Sequence, residues 1–323
     1  MSVTYSGTVP APWIAQAVYQ FNPLNQRFRA ADVARPIVVM EKSGTMASVN
    51  RAGTMGKGLD LQRAPGASYA RGGVTASGAA YECLIYGYEH KIPREQEALF
   101  RSIMQSQVVA GQTVLGELYT GREARIASLL CNTSLWTGSA LFADNHAAPW
   151  DTAASDVIGQ VGAAAEKVRA NTGLAANALI TSRKQIVNLI TKNTAILAKF
   201  SGVAVATPDM VLNWLAAILG LEMVIPFEAV YDAGNPGDST PTITDVWNED
   251  YAMVARVART DDPSEPCVAR LLTWEAMGAG TAAEFNVYTE PQTNSTVVQG
   301  NLYEDELVVD KYCGFLMEID PTS

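Results

Sequence analysis

The sequence predicts an α+β fold in two packed units, and three observations carry that prediction. One helical stripe runs far longer than any other element. Short apolar strands alternate with capped helices after it, and a glycine-rich basic segment before it has too little apolar surface for a core of its own. The 323 residues suffice for two such units, and a hydrophobic fraction of 48% with 17% charged residues is that of a globular chain.

From Met1 to Arg35 the chain is interrupted by Pro10, Pro12 and Pro23 and offers Trp13, Ile14, Val18, Tyr19 and Phe21 as apolar anchors without a core. Eight glycines then fall between Gly44 and Gly78. Folded back on itself, this segment is a two-stranded arm with about eighteen residues a side, about 60 Å long at about 3.3 Å per residue. That far exceeds the radius of gyration of about 20 Å expected for a compact body of this size. An isolated hairpin is marginal in water, so such an arm implies contacts beyond the subunit.

The longest helix is predicted over 93–132. Pro93 stands at a first-turn position with Glu95 and Glu97 beside it, and apolar residues from Leu99 through Ile103, Val108, Val114, Leu118 and Ile126 to Leu130 trace one stripe. Continuous, it is about 60 Å long at about 1.5 Å per residue. Gly111, Gly116 and Gly121 each weaken it by about 1 kcal/mol relative to Ala, which predicts a kink or break near Gly121.

After Trp150 the pattern alternates. Ser155 or Asp156 caps a helix through Val157, Val161 and Val168 that ends at Asn171-Thr172-Gly173, where Gly supplies the left-handed cap. Leu179-Ile180 reads as a short buried strand. Thr181 or Ser182 opens a second helix through Ile186 and Leu189, and Thr207-Pro208-Asp209 caps a third through Leu215 and Leu219. Leu221 to Ile225 and the alternation Tyr251, Met253, Ala255, Val257 predict strands of a mixed sheet. Phe285 to Tyr288 and Ser295 to Leu302, separated by Pro291-Gln-Thr-Asn, predict a β-hairpin; Glu306 to Val309 and Gly314 to Ile319 predict closing strands.

Charge narrows the function classes. Lys and Arg total 23 against 33 Asp and Glu, a net charge of −10, which repels a phosphate backbone and disfavours specific nucleic-acid binding. No apolar stretch reaches the length of a membrane span and the N-terminus lacks a signal-peptide pattern. Cys83, Cys131, Cys267 and Cys313 are widely spaced without a CxxC pair, which suits four reduced thiols. The charge is also unevenly placed. Arg51, Lys57, Arg63 and Arg71 face only Asp60 between Gly44 and Ala80, whereas twelve acids from Asp261 onward face only Arg270 and Lys311. One reading is two solvated surfaces. The sharper one has the basic segment of one copy docking on the acidic tail of another, with Arg51, Lys57, Arg63, Arg71, Glu304, Asp305 and Glu306 as contact candidates.

Catalytic signals are sparse. Of the two histidines, His90 and His146, only His146 sits in a cluster, with Asp144 and nearby Asp151, that could serve as a metal or acid–base site; a soluble enzyme using Asp144 and His146 is the alternative from another class. Gly53-Thr-Met-Gly56-Lys57-Gly58 lacks the spacing and the strand–helix setting of a phosphate loop. Asp261-Asp262 and Glu304-Asp305-Glu306 are adjacent in sequence and read as solvated acids or a docking surface. No catalytic, cofactor-binding or metal-ligating residue is assigned, and no cofactor is expected.

In their order, the arm, the extended loop, the long helix, Leu135-Trp136, Trp150-Asp151, Ser155-Asp156, Thr172-Gly173 with Asn177, Asp245-Val246-Trp247 and the tail from Arg270 to Leu316 resemble the major capsid proteins of tailed bacteriophages, whose Hong Kong 97-like fold also occurs in encapsulins. Val157 stands where such proteins often carry proline and Asn248 where glycine is common, which marks a remote branch. The resemblance implies an N-terminal arm (1–42), an extended loop (43–80), a P domain (81–150 and 284–301) on a spine helix 93–132, and an A domain (151–283 and 302–323). It implies hexamers and pentamers that close into an icosahedral shell around double-stranded DNA without sequence-specific binding. The partners implied are further copies, a portal and a decoration protein, with no membrane, and the place is a virion capsid assembled in host cytoplasm. Because Met1 lies close to the arm with no helical leader, a separate scaffolding protein is expected. Some capsids join a loop Lys to an Asn, which nominates Lys57 with Asn294 or Asn301. An encapsulin-like compartment is the alternative within the fold.

Overall fold

The computed structural model describes residues 9–10, 13–14, 17, 28–49, 62–63, 65–66, 68–69, 76–100, 105–200, 207–234, 240–275 and 283–319. Strand β1 (Val9–Pro10), helix α1 (Ala30–Val33) and strand β2 (Arg35–Val39) come first. Strands β3 (Ser43–Val49) and β4 (Ala76–Glu82) pair antiparallel, Ser43 opposite Glu82 and Val49 opposite Ala76. These seven pairs are the root of the expected two-stranded arm; most of its remainder lies outside the described residues. Strand β5 (Leu84–Pro93) leads into helix α2 (Arg94–Phe100), and helix α3 (Ser106–Leu130) follows.

The long helix therefore differs from the expected 93–132. It is divided at Gln105, whose backbone is extended (φ −82°, ψ 93°), and α3 runs unbroken through Gly121 to Leu130. Packing decides the second point. Three glycines cost about 3 kcal/mol in all at about 1 kcal/mol each, whereas buried Val114, Leu115, Leu118, Ile126 and Leu130 contribute about 1.5–3 kcal/mol apiece.

Strand β6 (Phe142–Asp144) precedes helix α4 (Val157–Thr172), strand β7 (Ala178–Ser182), and helices α5 (Arg183–Thr191), α6 (Thr194–Phe200) and α7 (Pro208–Leu219). The expected caps of α4 and α5 are in place, whereas Thr207 stands at the start of α7 without a side-chain capping hydrogen bond. The Asp156 carboxylate accepts from Gly159 N, the Ser182 hydroxyl accepts from Gln185 N, and Gly173 (φ 72°) and Gly220 (φ 71°) end α4 and α7 in left-handed conformation. Strands β8 (Met223–Phe227), β9 (Val230–Asp232), β10 (Ile243–Asp245), β11 (Tyr251–Ala255), β12 (Ala269–Trp274), β13 (Glu284–Glu290), β14 (Ser295–Val308) and β15 (Gly314–Glu318) complete the order. Asn294 turns the β13–β14 hairpin at φ 47°, a backbone region that Asn tolerates better than most residues.

Two larger sheets organise most of these strands, with β3–β4 and β9–β10 as separate two-stranded pairs. The first runs β1-β13-β14-β12-β2, with β5 also paired to β14; only β2 and β12 are parallel. Strand β14 crosses 301 and 302 without interruption, pairing with β13 and β5 through its first part and with β12 through Glu304 to Val308. The second sheet, β6-β15-β11-β7-β8, is mixed, with parallel pairs at each end. Asn177 extends it beyond the ladder: its side chain donates to Val257 O (2.9 Å) and accepts from Val257 N (2.8 Å).

The second sheet is buried on both faces, which is why its strands read as unbroken apolar runs. Ala178, Ile180, Met253 and Ala255 face a core shared with Ile126, Leu130, Trp136 and, from the first sheet, Ala269 and Leu271. Leu179, Val224, Val254 and Phe315 face the other way, against Val161 and Val168 of α4, Leu189 of α5 and Leu215 of α7. A third core lies where Val114, Leu115 and Leu118 of α3 meet Ile92, Phe285, Val298 and Leu302. Among the described residues, no helix is long and apolar enough to cross a membrane.

Candidate functional site

Of the acidic contact candidates, Glu304 turns inward. Arg122 and Arg125 are three residues apart on α3 and share a helix face. Strand alternation gives Glu304 and Glu306 a common side of β14. Arg122 grips Glu304 with Nε (2.9 Å) and Nη2 (2.6 Å) on Oε2, Arg125 bonds the other Glu304 oxygen, and Arg125 Nε donates to Glu306 Oε1 at 2.9 Å. The Glu304 side chain has no exposure and that of Glu306 has 8%. The expectation of a solvated or docking triplet is corrected for these two: they hold the helix to the sheet within one subunit. Asp305 points the other way and accepts from Glu82 N at the root of the β3–β4 hairpin (3.0 Å).

The surroundings fit a fixed network. Arg125 lies over the Tyr86 ring at 3.6 Å and Arg122 over Tyr119 at 4.6 Å. Burial raises the Glu306 carboxyl above its usual range against the opposing pull of Arg125. The Cys83 thiol is pushed up to about 11, first by burial and then by the charges of Asp305, Glu304 and Glu306. A thiol so placed stays protonated and is a poor nucleophile near neutrality.

Glu123, next to Arg122, joins three segments. Its Oε1 accepts from Ala30 N and its Oε2 from Trp247 Nε1, both at 2.6 Å, so one buried carboxylate ties α1, α3 and the loop after β10 together. Burial raises its pKa, while these hydrogen bonds pull it down. Trp247 stacks on Phe227 of β8. The sequence singled out Trp247 but gave no sign of its carboxylate partner.

Asp144 and His146 do meet, with Asp144 Oδ1 2.9 Å from His146 Nδ1. The third member is Glu318, whose Oε1 lies 3.2 Å from His146 Nε2. It comes from the far end of the chain because β15 pairs parallel with β6, Glu318 opposite Asp144. Asp151, nominated by proximity in sequence, is not in the cluster.

Among the basic candidates, Arg63 lies over the Tyr69 ring at 4.0 Å. Arg51, Lys57 and Arg71 lie outside the described residues. Asp261 pairs with Arg35 at 2.5 Å, and Asp262 accepts from the Ser264 amide and hydroxyl, which lowers its pKa. Asn294 and Asn301 sit at the turn and within the ladder of the β13–β14 hairpin.

No protein-family model matches the chain, and no curated protein does. Solved structures match nearly all of it. A phage-related protein from Bordetella bronchiseptica RB50 is 17% identical, with TM-score 0.72 over 98% of this chain and 100% of that one. An encapsulin complex from Synechococcus elongatus PCC 7942 is 9% identical, with TM-score 0.55 over 94% and 91%. The capsid of cyanophage P-SCSP1u is 12% identical, with TM-score 0.54 over 88% and 86%. The α+β architecture is thus the Hong Kong 97-like fold of phage capsid proteins and encapsulins.

Proposed function

We propose, from a fold held in common with phage capsid proteins and encapsulins, that this chain is the major capsid protein of a tailed phage. It assembles through hexamers and pentamers into an icosahedral shell around double-stranded DNA. The observation that carries the reading is the match over nearly the full length of both chains to a phage-related protein. A bound surface domain or an insertion in an enzyme would give a partial match instead. The net charge of −10 supports a container that encloses DNA without adhering to it.

In this reading 81–150 and 284–301 form the P domain, 151–283 and 302–323 the A domain, and 43–80 the loop that crosses a neighbour. The contact is heterologous and closes into rings. Arg51, Lys57, Arg63 and Arg71 face acids that stay near a neighbour's surface, Asp305 among them, while Glu304 and Glu306 act inside the subunit. A scaffolding protein, a portal and a decoration protein are the further partners, the virion capsid is the location, and the host cytoplasm is the place of assembly.

Electron microscopy of the purified protein tests the reading. Closed shells, or rings of five and six subunits, are expected; a monomer that persists at high concentration overturns it. The encapsulin match favours a second reading, a protein compartment of the same build. Nucleic acid inside shells recovered from the source cells supports the phage capsid, and a packaged enzyme supports the compartment.

A further inference from the structure

We propose that Asp144, His146 and Glu318 form a binding site for one divalent transition-metal ion of the Zn²⁺ class. The ladder builds the site. Asp144 of β6, Glu318 of β15 and Tyr251 of β11 lie in one row across three strands, since Glu318 pairs with both of the others. Cross-strand partners project to the same face, so both carboxylates reach the same space. The chain between them is pinned as well: Asn145 N donates to Glu318 O at 2.9 Å and His146 N to Asp144 Oδ1 at 3.0 Å. His146 is thereby held over the row.

Distances suit an ion. Metal–ligand bonds of about 2.1 Å with angles of about 90–109° require donor atoms about 3.0–3.4 Å apart. One ligand atom from each of the three residues falls within 4.8 Å of the others; the ion takes a single imidazole nitrogen, and the carboxylate now on the other nitrogen must turn to reach it. A change of rotamer, open to the exposed Asp144, closes the longest of these gaps.

Charge points the same way. Among the described residues, neither Asp144 nor Glu318 has a Lys or Arg in ion-pair contact; the side chains that face them are the His146 imidazole and, for Glu318, the Tyr251 hydroxyl. One nitrogen and two carboxylate donors match a borderline divalent ion, not Ca²⁺ with its six to eight oxygens. With His146 at 41% and Asp144 at 59% side-chain exposure, the ion enters from solution and keeps water in its open positions.

The full-length chain, stripped with chelator, is titrated with ZnCl2 by calorimetry and melted with and without the ion. Saturable binding of one Zn²⁺ per chain and a raised melting temperature are expected. His146→Ala and Glu318→Gln should each weaken binding about tenfold or more, while His90→Ala leaves it unchanged. Matching melting temperatures of the metal-free proteins separate lost ligation from lost folding, and Asp144→Asn replaces any variant that does not fold. No saturable binding by the wild type, or binding that survives both substitutions, overturns the proposal.

Discussion

Glu123 illustrates how one side chain sets a pH dependence. Its carboxyl is raised because burial opposes ionisation more than the Ala30 and Trp247 hydrogen bonds favour it. The folded chain then holds the proton more tightly than the unfolded one. Its contribution to stability falls as pH rises from the ordinary Glu value of about 4.3 through the folded value, and is level above that. Glu123→Gln has no such proton. Urea titrations from about pH 4 to 8 should therefore show the wild type losing stability relative to Glu123→Gln as pH rises, with a slope no steeper than about 1.4 kcal/mol per unit. A difference that stays flat would remove burial as the cause. Residues of this kind were legible only where chemistry is local. Asp156 and Gly173 declare a helix start and stop because the cap depends on near neighbours. Glu304 was misread because adjacent acids look solvated, yet a readable signal existed in Arg122 and Arg125 at helical spacing and Glu304 and Glu306 at strand spacing. Glu318 left none, since only sheet pairing brings it to His146.

At the level of elements, α3 against β14 is the decisive packing. Gly300 lies under the helix, and a Cβ there would stand 2.5 Å from Val114 Cγ1 and 3.2 Å from Leu118 Cδ1. Val114 is β-branched and stiff, so the helix must lift or the strand must move. Gly300→Ala should cost about 1–3 kcal/mol, the usual range for overpacking, visible as a lower urea midpoint. An unchanged midpoint would mean that the two elements adjust freely. Periodicity made these elements legible: the β13–β14 hairpin, α4, α5 and α7 all follow from spacing and caps. The division at Gln105 was not legible, because the apolar stripe continues across it. Nor were β2 and β12, which are read from pairing with each other and not from any turn signal.

For the whole molecule, the proposed docking of a basic loop on a neighbour predicts a separation of folding from assembly. Arg63→Glu with Arg71→Glu should leave the circular dichroism and melting temperature of the subunit unchanged while lowering the yield of shells in sedimentation. Full shell yield would count against the loop contact. High salt should weaken the same contact, since exposed charges are screened within about 10 Å at 0.1 M.

Strand β14 gives this subunit a line along which to bear load. Its fourteen residues are hydrogen-bonded to β13, β5 and β12, and Glu304 anchors it to α3 midway. Tension along its axis strains many ladder bonds together in shear, whereas a pull across its end would open them one at a time. Yielding under such tension requires a whole row of bonds to fail at once.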